Sequence, residues 1–121
     1  MRPAATTYRF FISDELMDHS IEAIRRCSLV TRRFESLHST IEHACQWFIE
    51  AGADESLIRG LLDGPTLDGP HKIHLTVYEA QRDAFRVAGQ MMRDAVAKEL
   101  TPKQRFAVLT RQLSPEEKLK S

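Results

Sequence analysis

The sequence predicts a mainly α-helical fold with one two-stranded antiparallel ribbon, on the basis of three observations. Two short segments, 7–12 and 72–77, alternate apolar and polar residues as half-buried strands do. Each segment leads directly into sequence with helical periodicity, so that the chain twice shows a strand followed by two helices. An isolated strand leaves its backbone N–H and C=O groups unpaired, and the two strands are therefore expected to pair with each other.

Length and composition indicate one ordinary globular domain over residues 1–121. The chain is 42% hydrophobic and 28% charged, and it lacks the run of about 18 apolar residues that a membrane span requires. No secretory signal is visible, so we expect a soluble, cytoplasmic protein without a membrane partner. The two cysteines, Cys27 and Cys45, are interpreted as reduced and partly buried. The charged residues 114–121 are expected to form a flexible tail.

The first half of the chain, 6–50, is predicted to contain a strand and two helices. Ser13 ends the strand and caps the first helix, whose first turn carries two acidic residues that complement the helix dipole. Either Ser36 or Ser39 can cap the second helix, which is expected to end at Gly52.

A connector rich in Gly and Pro, at 51–70, separates this half from a second half at 71–113. The centre of the connector, 55–62, is predicted to form a short helix capped by Asp54. The second half repeats the order of strand, helix and helix, and its last helix is predicted to begin at Thr101.

The repeated order of elements predicts an internal duplication. A constant offset aligns the two strands and places Ser36 on Thr101, whereas the first helices align poorly, because Ile24 falls on Gly89. Two strands that each precede a pair of helices can form one ribbon across a pseudo-twofold axis. The predicted fold class is therefore a single-chain, duplicated ribbon-helix-helix domain, a monomer that acts as a pseudo-dimer.

The outward face of this ribbon carries the strongest functional signal in the sequence. A two-stranded ribbon fits the major groove of double-stranded DNA and presents its side chains to the base edges. Arg9 and Lys72 can donate hydrogen bonds to guanine, and Phe11 can contact a thymine methyl group. The predicted base-reading residues are Thr7, Arg9, Phe11, Lys72, His74 and Thr76.

The starts of the two second helices are predicted to bind DNA phosphates. Backbone N–H groups at a helix N-terminus attract anions, and basic side chains nearby strengthen that attraction. The predicted phosphate-binding residues are Arg32, Arg33, Ser36, Lys98, Thr101 and Lys103. The net charge of +0 by itself gives no indication of a nucleic-acid partner, so the prediction depends on how the basic residues are distributed.

Other functional classes have weaker signals in the sequence. The histidines and cysteines lack the spacing of a structural zinc site, and neither a metal nor a cofactor is predicted. The chain has no phosphate-binding glycine loop and no G-x-S-x-G motif, and it is not expected to be an enzyme. The alternative function is a helical protein-protein adaptor. Its candidate contact residues are Phe11, Trp47, Met91 and Met92. For Trp47, Met91 and Met92, however, packing in the core is the expected role.

The order of elements and the ribbon residues also resemble a known family, the virC-operon enhancer of T-DNA transfer carried by tumour-inducing plasmids. The resemblance covers essentially the whole chain and concerns the C-terminal region of that family, which looks like a single-chain ribbon-helix-helix. It implies a bacterial cytoplasmic virulence protein, accessory to conjugation-type DNA transfer, that binds an enhancer sequence beside the T-DNA border. The implied partners are double-stranded DNA, the relaxase and other transfer proteins, and the six outward ribbon residues carry over as the DNA-reading face.

Overall fold

The computed structural model describes residues 5–64 and 66–113, which form five helices and one two-stranded sheet. The elements are β1 (Ala5–Ile12), α1 (Asp14–Thr31), α2 (Leu37–Ala51), α3 (Glu55–Asp63), β2 (His71–Tyr78), α4 (Glu79–Val96) and α5 (Pro102–Leu113). The tail predicted at 114–121 lies outside the described residues. Within the described ranges, none of the helices combines the length and the apolar character that a membrane crossing requires.

The two strands pair antiparallel along their whole length, and the predicted pairing is confirmed. Ala5 lies opposite Tyr78 and Ile12 lies opposite His71. Because side chains alternate along a strand, the ribbon has an inner face that is largely buried and an outer face that is largely exposed. The inner face covers the helices, and the outer face is left for contacts with other molecules.

Reciprocal side-chain caps fix where α2 and α5 begin. Ser36 accepts a hydrogen bond from the Ser39 N–H, and the Ser39 hydroxyl accepts one from the Ser36 N–H, which resolves the choice between the two serines in favour of Ser36. Thr101 and Gln104 make the same exchange at the start of α5, with distances of 2.8 and 3.2 Å. Such boxes satisfy two N–H groups that a helix start otherwise leaves unpaired.

The core lies between the inner face of the ribbon and the five helices. α2 packs against α4, and α5 packs against α1, α2 and α3. Phe106 of α5 is fully buried and meets Phe10 of β1 edge to face, with ring centroids 5.4 Å apart. Burying a side chain of this size stabilises the fold by about 1.5–3 kcal/mol. The ribbon therefore lies on a continuous apolar layer.

The predicted fold class, a duplicated ribbon-helix-helix pseudo-dimer, is wrong. Residues 5–64 and 66–113 form five helices and two strands in the order β1, α1, α2, α3, β2, α4, α5, which is not a strand-helix-helix unit repeated twice. The short helix predicted within the connector is confirmed as α3, but it is part of the core and not a linker. Ile58 and Leu61 are buried, and α3 packs against α4 and α5. The glycines and prolines at 51–70 indicated turns in a linker. The burial of the apolar face of α3 instead places this segment against the other helices.

The segment before β2 is anchored where β1 passes into α1. The Ser13 N–H donates a hydrogen bond of 2.8 Å to the Leu67 carbonyl. Gly69 lies so close to this junction that a Cβ atom on it would be 2.4 Å from the Ser13 Cα. The His71 ring and the Asp14 carboxylate, 2.6 Å apart, add a contact at the same place. These contacts fix the start of β2 beside the end of β1 and so help to set the register of the ribbon.

Candidate nucleic-acid interface

The outer face of the ribbon brings together all six predicted base-reading residues. The register places them directly opposite one another in three cross-strand pairs, Thr7 with Thr76, Arg9 with His74 and Phe11 with Lys72. All are exposed except Thr76, which is partly buried. The hydroxyls of Thr7 and Thr76 lie 3.1 Å apart and form a hydrogen bond across the strands. The face is therefore one continuous strip of polar, basic and aromatic side chains.

The basic side chains of this strip have no acidic partner among the described residues. Arg9, Lys72 and His74 make no ion pair or side-chain hydrogen bond with residues 5–64 or 66–113, whereas Arg25 binds Glu22 at 2.6 Å. An unpaired guanidinium or ammonium group keeps all its N–H donors available for a ligand. The strip can therefore donate hydrogen bonds outward without first breaking contacts within the protein.

Aromatic side chains stand at both ends of the strip. Phe11 is 49% exposed at one end, and Tyr78, which was not among the predicted residues, is 46% exposed at the other. Tyr78 directly precedes α4 and was therefore not counted with the strand. The alternation of outward residues Lys72, His74 and Thr76 would have included Tyr78 if it had been extended by one step. Exposed rings of this kind can contact a thymine methyl group.

Three of the predicted phosphate-binding residues lie together between α1 and α2. The Ser36 hydroxyl is engaged in the capping box, which leaves other N–H groups of the first turn for an anion. Arg33 approaches the Glu35 carboxylate at 3.5 Å. Arg32 adopts the left-handed conformation (φ 59°) that ends α1, and it is exposed. Arg32 is thus more available to a phosphate than Arg33.

The other three predicted phosphate-binding residues lie between α4 and α5. Thr101 is engaged in its capping box with Gln104. The Lys103 ammonium donates a hydrogen bond of 2.9 Å to Asp68, and this bond lowers the pKa of the Asp68 carboxyl. Lys98 is exposed, and its side chain has no partner within the described ranges. Lys98 is therefore the available cation of this group, while Lys103 is engaged in a surface ion pair.

The two capped helix starts lie near opposite ends of the ribbon. His38, in the first turn of α2, packs edge to face against Tyr78, with ring centroids 5.1 Å apart. Lys103, in the first turn of α5, reaches Asp68, which lies shortly before β2 begins. A helix start carries a partial positive charge. The exposed strip therefore has a positively polarised helix end near each of its own ends.

One group of side chains away from the strip has the ligand types of a metal site. Candidate ligand atoms of Cys27, Glu35 and His43 all lie within 4.8 Å of one another. The Glu35 carboxylate, however, accepts a hydrogen bond of 2.5 Å from the Thr31 hydroxyl and approaches Arg33. These contacts account for a largely buried carboxylate without an ion, and the absence of a bound metal stays a prediction.

Comparisons with protein families, with curated proteins and with solved structures found no match for this chain. The resemblance to the T-DNA transfer enhancer family accordingly stays a prediction.

Proposed function

We propose that this protein binds double-stranded DNA with a sequence preference, through the outer face of its ribbon. The observation that carries the proposal is the strip of three cross-strand pairs, in which every residue except the partly buried Thr76 is exposed. Arg9, Lys72 and His74 stand on it without acidic partners among the described residues. This combination of donors and apolar groups on a narrow ribbon matches what base edges in the major groove offer.

The dimensions of a two-stranded ribbon suit the proposed contact. Neighbouring strands lie about 4.8 Å apart, and the major groove of B-form DNA is about 12 Å wide. Arg9 is the base reader for guanine, since its planar fork can donate to O6 and N7 together. Lys72 and the threonine hydroxyls add single hydrogen bonds, and Phe11 contacts thymine. A well-formed bidentate contact discriminates against the wrong base by about 1–3 kcal/mol.

Phosphate contacts position the ribbon in this proposal and carry no sequence information. The starts of α2 and α5 provide backbone N–H groups, and Arg32 and Lys98 provide cations without a partner in the described part of the chain. With a formal net charge of +0, long-range attraction to DNA is weak, so binding depends on these local groups. We therefore expect modest affinity at physiological salt.

The resemblance found in the sequence adds a finer proposal. On the basis of that resemblance, the protein would act in the bacterial cytoplasm at an enhancer sequence beside a T-DNA border, as an accessory of the relaxase and other transfer proteins. Duplexes with and without an enhancer-like sequence separate it from general DNA binding.

Fluorescence anisotropy with labelled duplex DNA tests the proposal. The purified chain is titrated against random and enhancer-like duplexes at low and moderate salt. We expect binding that weakens as salt increases and that differs between the two sequences. A matched control is Arg59→Gln, which removes one positive charge from α3, where Arg59 is paired with Glu55 at 2.9 Å. The absence of binding at low salt would contradict the proposal.

A second candidate, a protein-protein adaptor, is favoured by exposed apolar side chains at the end of α1. Leu29 and Val30 are 50% and 69% exposed, and Phe34 is fully exposed. The surface differs from the one predicted from the sequence, since Met92 is fully buried and Trp47 stacks on a histidine ring. An adaptor predicts no anisotropy change with DNA at any salt concentration.

A further inference from the structure

A cavity of about 400 Å³ lies beside the inner face of the ribbon, apart from the outer strip. Its walls come from β1, from the end of β2, from one face of α4 and from Arg105 of α5. A volume of this size is in the range of small-molecule sites. None of the six base-reading residues lines it.

Four arginines line this cavity against a single acidic residue. Arg82, Arg86 and Arg93 follow one face of α4, Arg105 comes from α5, and Glu99 is the only acid in the lining. In a chain of zero formal net charge, this is a local concentration of positive charge. Guanidinium groups match the geometry of phosphate oxygens, because each can donate two parallel hydrogen bonds.

These arginines are weakly paired within the protein. The contacts of Arg86 with Asp83 and of Arg93 with Asp94 are 3.7 Å long, and Arg93 is 3.8 Å from Glu99. Arg82 has no ion pair with residues of the described ranges. Distances of this length are too great for hydrogen bonds, so the N–H donors remain available to a bound anion.

Arg105 shows the clearest sign of a missing acceptor. Its guanidinium lies over the ring of Phe85 at 4.9 Å and near that of Tyr8 at 5.9 Å. Its Nε atom is buried and has no hydrogen-bond partner among the described residues. A buried donor without an acceptor is unfavourable and calls for a ligand or another explanation. The guanidinium is thus held against two aromatic rings, and its Nε–H lacks an acceptor among the described residues.

Gly89 makes room for this arrangement. A Cβ atom on it would lie 2.9 Å from the Arg105 Cδ and 3.2 Å from one terminal nitrogen. The glycine at this position of α4 therefore leaves the space that the Arg105 side chain occupies.

We infer that this cavity binds a small anion that carries two or more phosphate groups, with Arg105 as the buried donor and the arginines of α4 around the outer phosphate. The volume exceeds what one phosphate fills, and four guanidinium groups match a multivalent anion. The site is separate from the DNA-reading face and goes beyond the proposed function.

Isothermal titration calorimetry with inorganic pyrophosphate tests this site. We expect binding by the wild-type chain and at least tenfold weaker binding by Arg105→Met, which keeps an unbranched apolar stem but loses the donors. Gly89→Ala keeps every arginine and displaces only Arg105, so it should weaken binding in the same direction. Arg25→Gln removes one charge from α1 and should bind as the wild type does. Circular dichroism establishes that each variant is folded.

Two outcomes would overturn the inference. One is no heat of binding for the folded wild-type chain at millimolar pyrophosphate. The other is unchanged pyrophosphate affinity in both Arg105→Met and Gly89→Ala. Duplex DNA distinguishes the source of the phosphate: a small-anion site leaves the duplex affinity of Arg105→Met close to wild type. If Arg105→Met loses duplex binding while pyrophosphate does not bind, the cavity is a DNA-backbone contact and the small-anion site is wrong.

Discussion

Arg9 is the only arginine on the outer strip, where it lies opposite His74. Among the residues of that face, its side chain alone can make a bidentate contact with one base. Lys72 offers a single point charge, and the threonines offer hydroxyls, which can form hydrogen bonds with the edges of several different bases. Sequence preference is therefore expected to depend mainly on Arg9.

Arg9→Ala is predicted to weaken binding to the preferred duplex by about 1–3 kcal/mol and to relax the preference at one base pair. Lys98→Ala removes the available cation between α4 and α5 and should weaken binding to all sequences alike. Anisotropy titrations with duplexes changed one base pair at a time measure both effects. Equal losses for the two variants on every sequence would contradict base reading by the ribbon.

Glu35 is predicted to make stability sensitive to acid. The hydrogen bond from Thr31, aided by one from Ser39 and by nearby Arg33 and His43, lowers the pKa of this carboxyl below its ordinary value of 4.5. Below about pH 4.5 the unfolded chain then binds more protons at this position than the folded one does, so stability falls as the pH falls through the folded pKa.

Urea unfolding from about pH 6 to about pH 3 measures this dependence. The Glu35→Gln variant should lose less stability across that interval than the wild type does. Glu50→Gln, at an exposed position on α2, is the matched control and should keep the wild-type slope. An unchanged slope in Glu35→Gln would show that other carboxyls account for the acid sensitivity.

Among the secondary-structure elements, the ribbon depends on the junction between the 66–70 segment and the start of α1. The carbonyl of Leu67 accepts a hydrogen bond from Ser13, and Gly69 touches backbone atoms of the same turn. Backbone atoms cannot move aside as the end of a flexible side chain can. The register of β2, and with it the order of the outer strip, is tied to this contact.

Gly69→Ala is predicted to destabilise the fold by about 1–3 kcal/mol, since the new methyl group overpacks the junction. Gly60→Ala in α3 is the matched control, because among the described residues nothing outside the local helix backbone lies within 4 Å of the position that its Cβ would take. That variant should be neutral or stabilising by up to about 1 kcal/mol, through helix propensity. Chemical denaturation compares the two, and equal stability of both variants would contradict the proposed role of the junction.

Most elements were predictable from local signals. Alternation with a period of two residues located both strands and their outward residues, and polar caps located the starts of α1, α2 and α5. The cap of α2 could be narrowed to Ser36 or Ser39 but not decided from the sequence, because both residues have the same side chain. Local chemistry thus predicted where elements begin, and only packing shows how they meet.

For the molecule as a whole, the role of α3 was not predictable from the sequence. Because both halves have the order strand, helix, helix, the segment 51–70 was interpreted as a linker between them. Its residues Ile58 and Leu61 are instead part of the common core. The cavity with four arginines was not predicted either, because its lining comes from separate elements. Arg105 comes from α5, and only the tertiary fold brings its side chain beside the three arginines of α4. The outer strip was predictable, because the antiparallel register of the two strands alone determines which side chains lie on it.

The core is also predicted to protect both cysteines from reagents. Burial raises the pKa of the Cys45 thiol to about 12 and raises that of Cys27 as well. Both are free and buried, which is deeper than the partial burial expected from the sequence. A thiol reagent at about pH 8 should therefore react only as fast as the protein opens, and addition of urea should release both thiols. Immediate reaction in the absence of urea would contradict this burial.

The salt dependence of DNA binding reports how many phosphates the protein contacts. We expect the logarithm of the association constant to fall linearly with the logarithm of salt concentration, with a slope of about −0.9 for each phosphate contacted. Arg32→Ala and Lys98→Ala should each reduce the slope by about one contact, whereas Phe11→Ala should leave it unchanged. A slope near zero in the wild type would exclude substantial phosphate contacts.

The most direct measurement is a two-dimensional NMR titration of the labelled chain with duplex DNA. Binding through the ribbon predicts that the largest shifts fall on the outer strip and at the starts of α2 and α5. The exposed surface of α3 around Arg59, which lies outside the proposed contacts, should change little. Shifts concentrated at Leu29, Val30 and Phe34, with the strip unchanged, would contradict DNA binding by the ribbon.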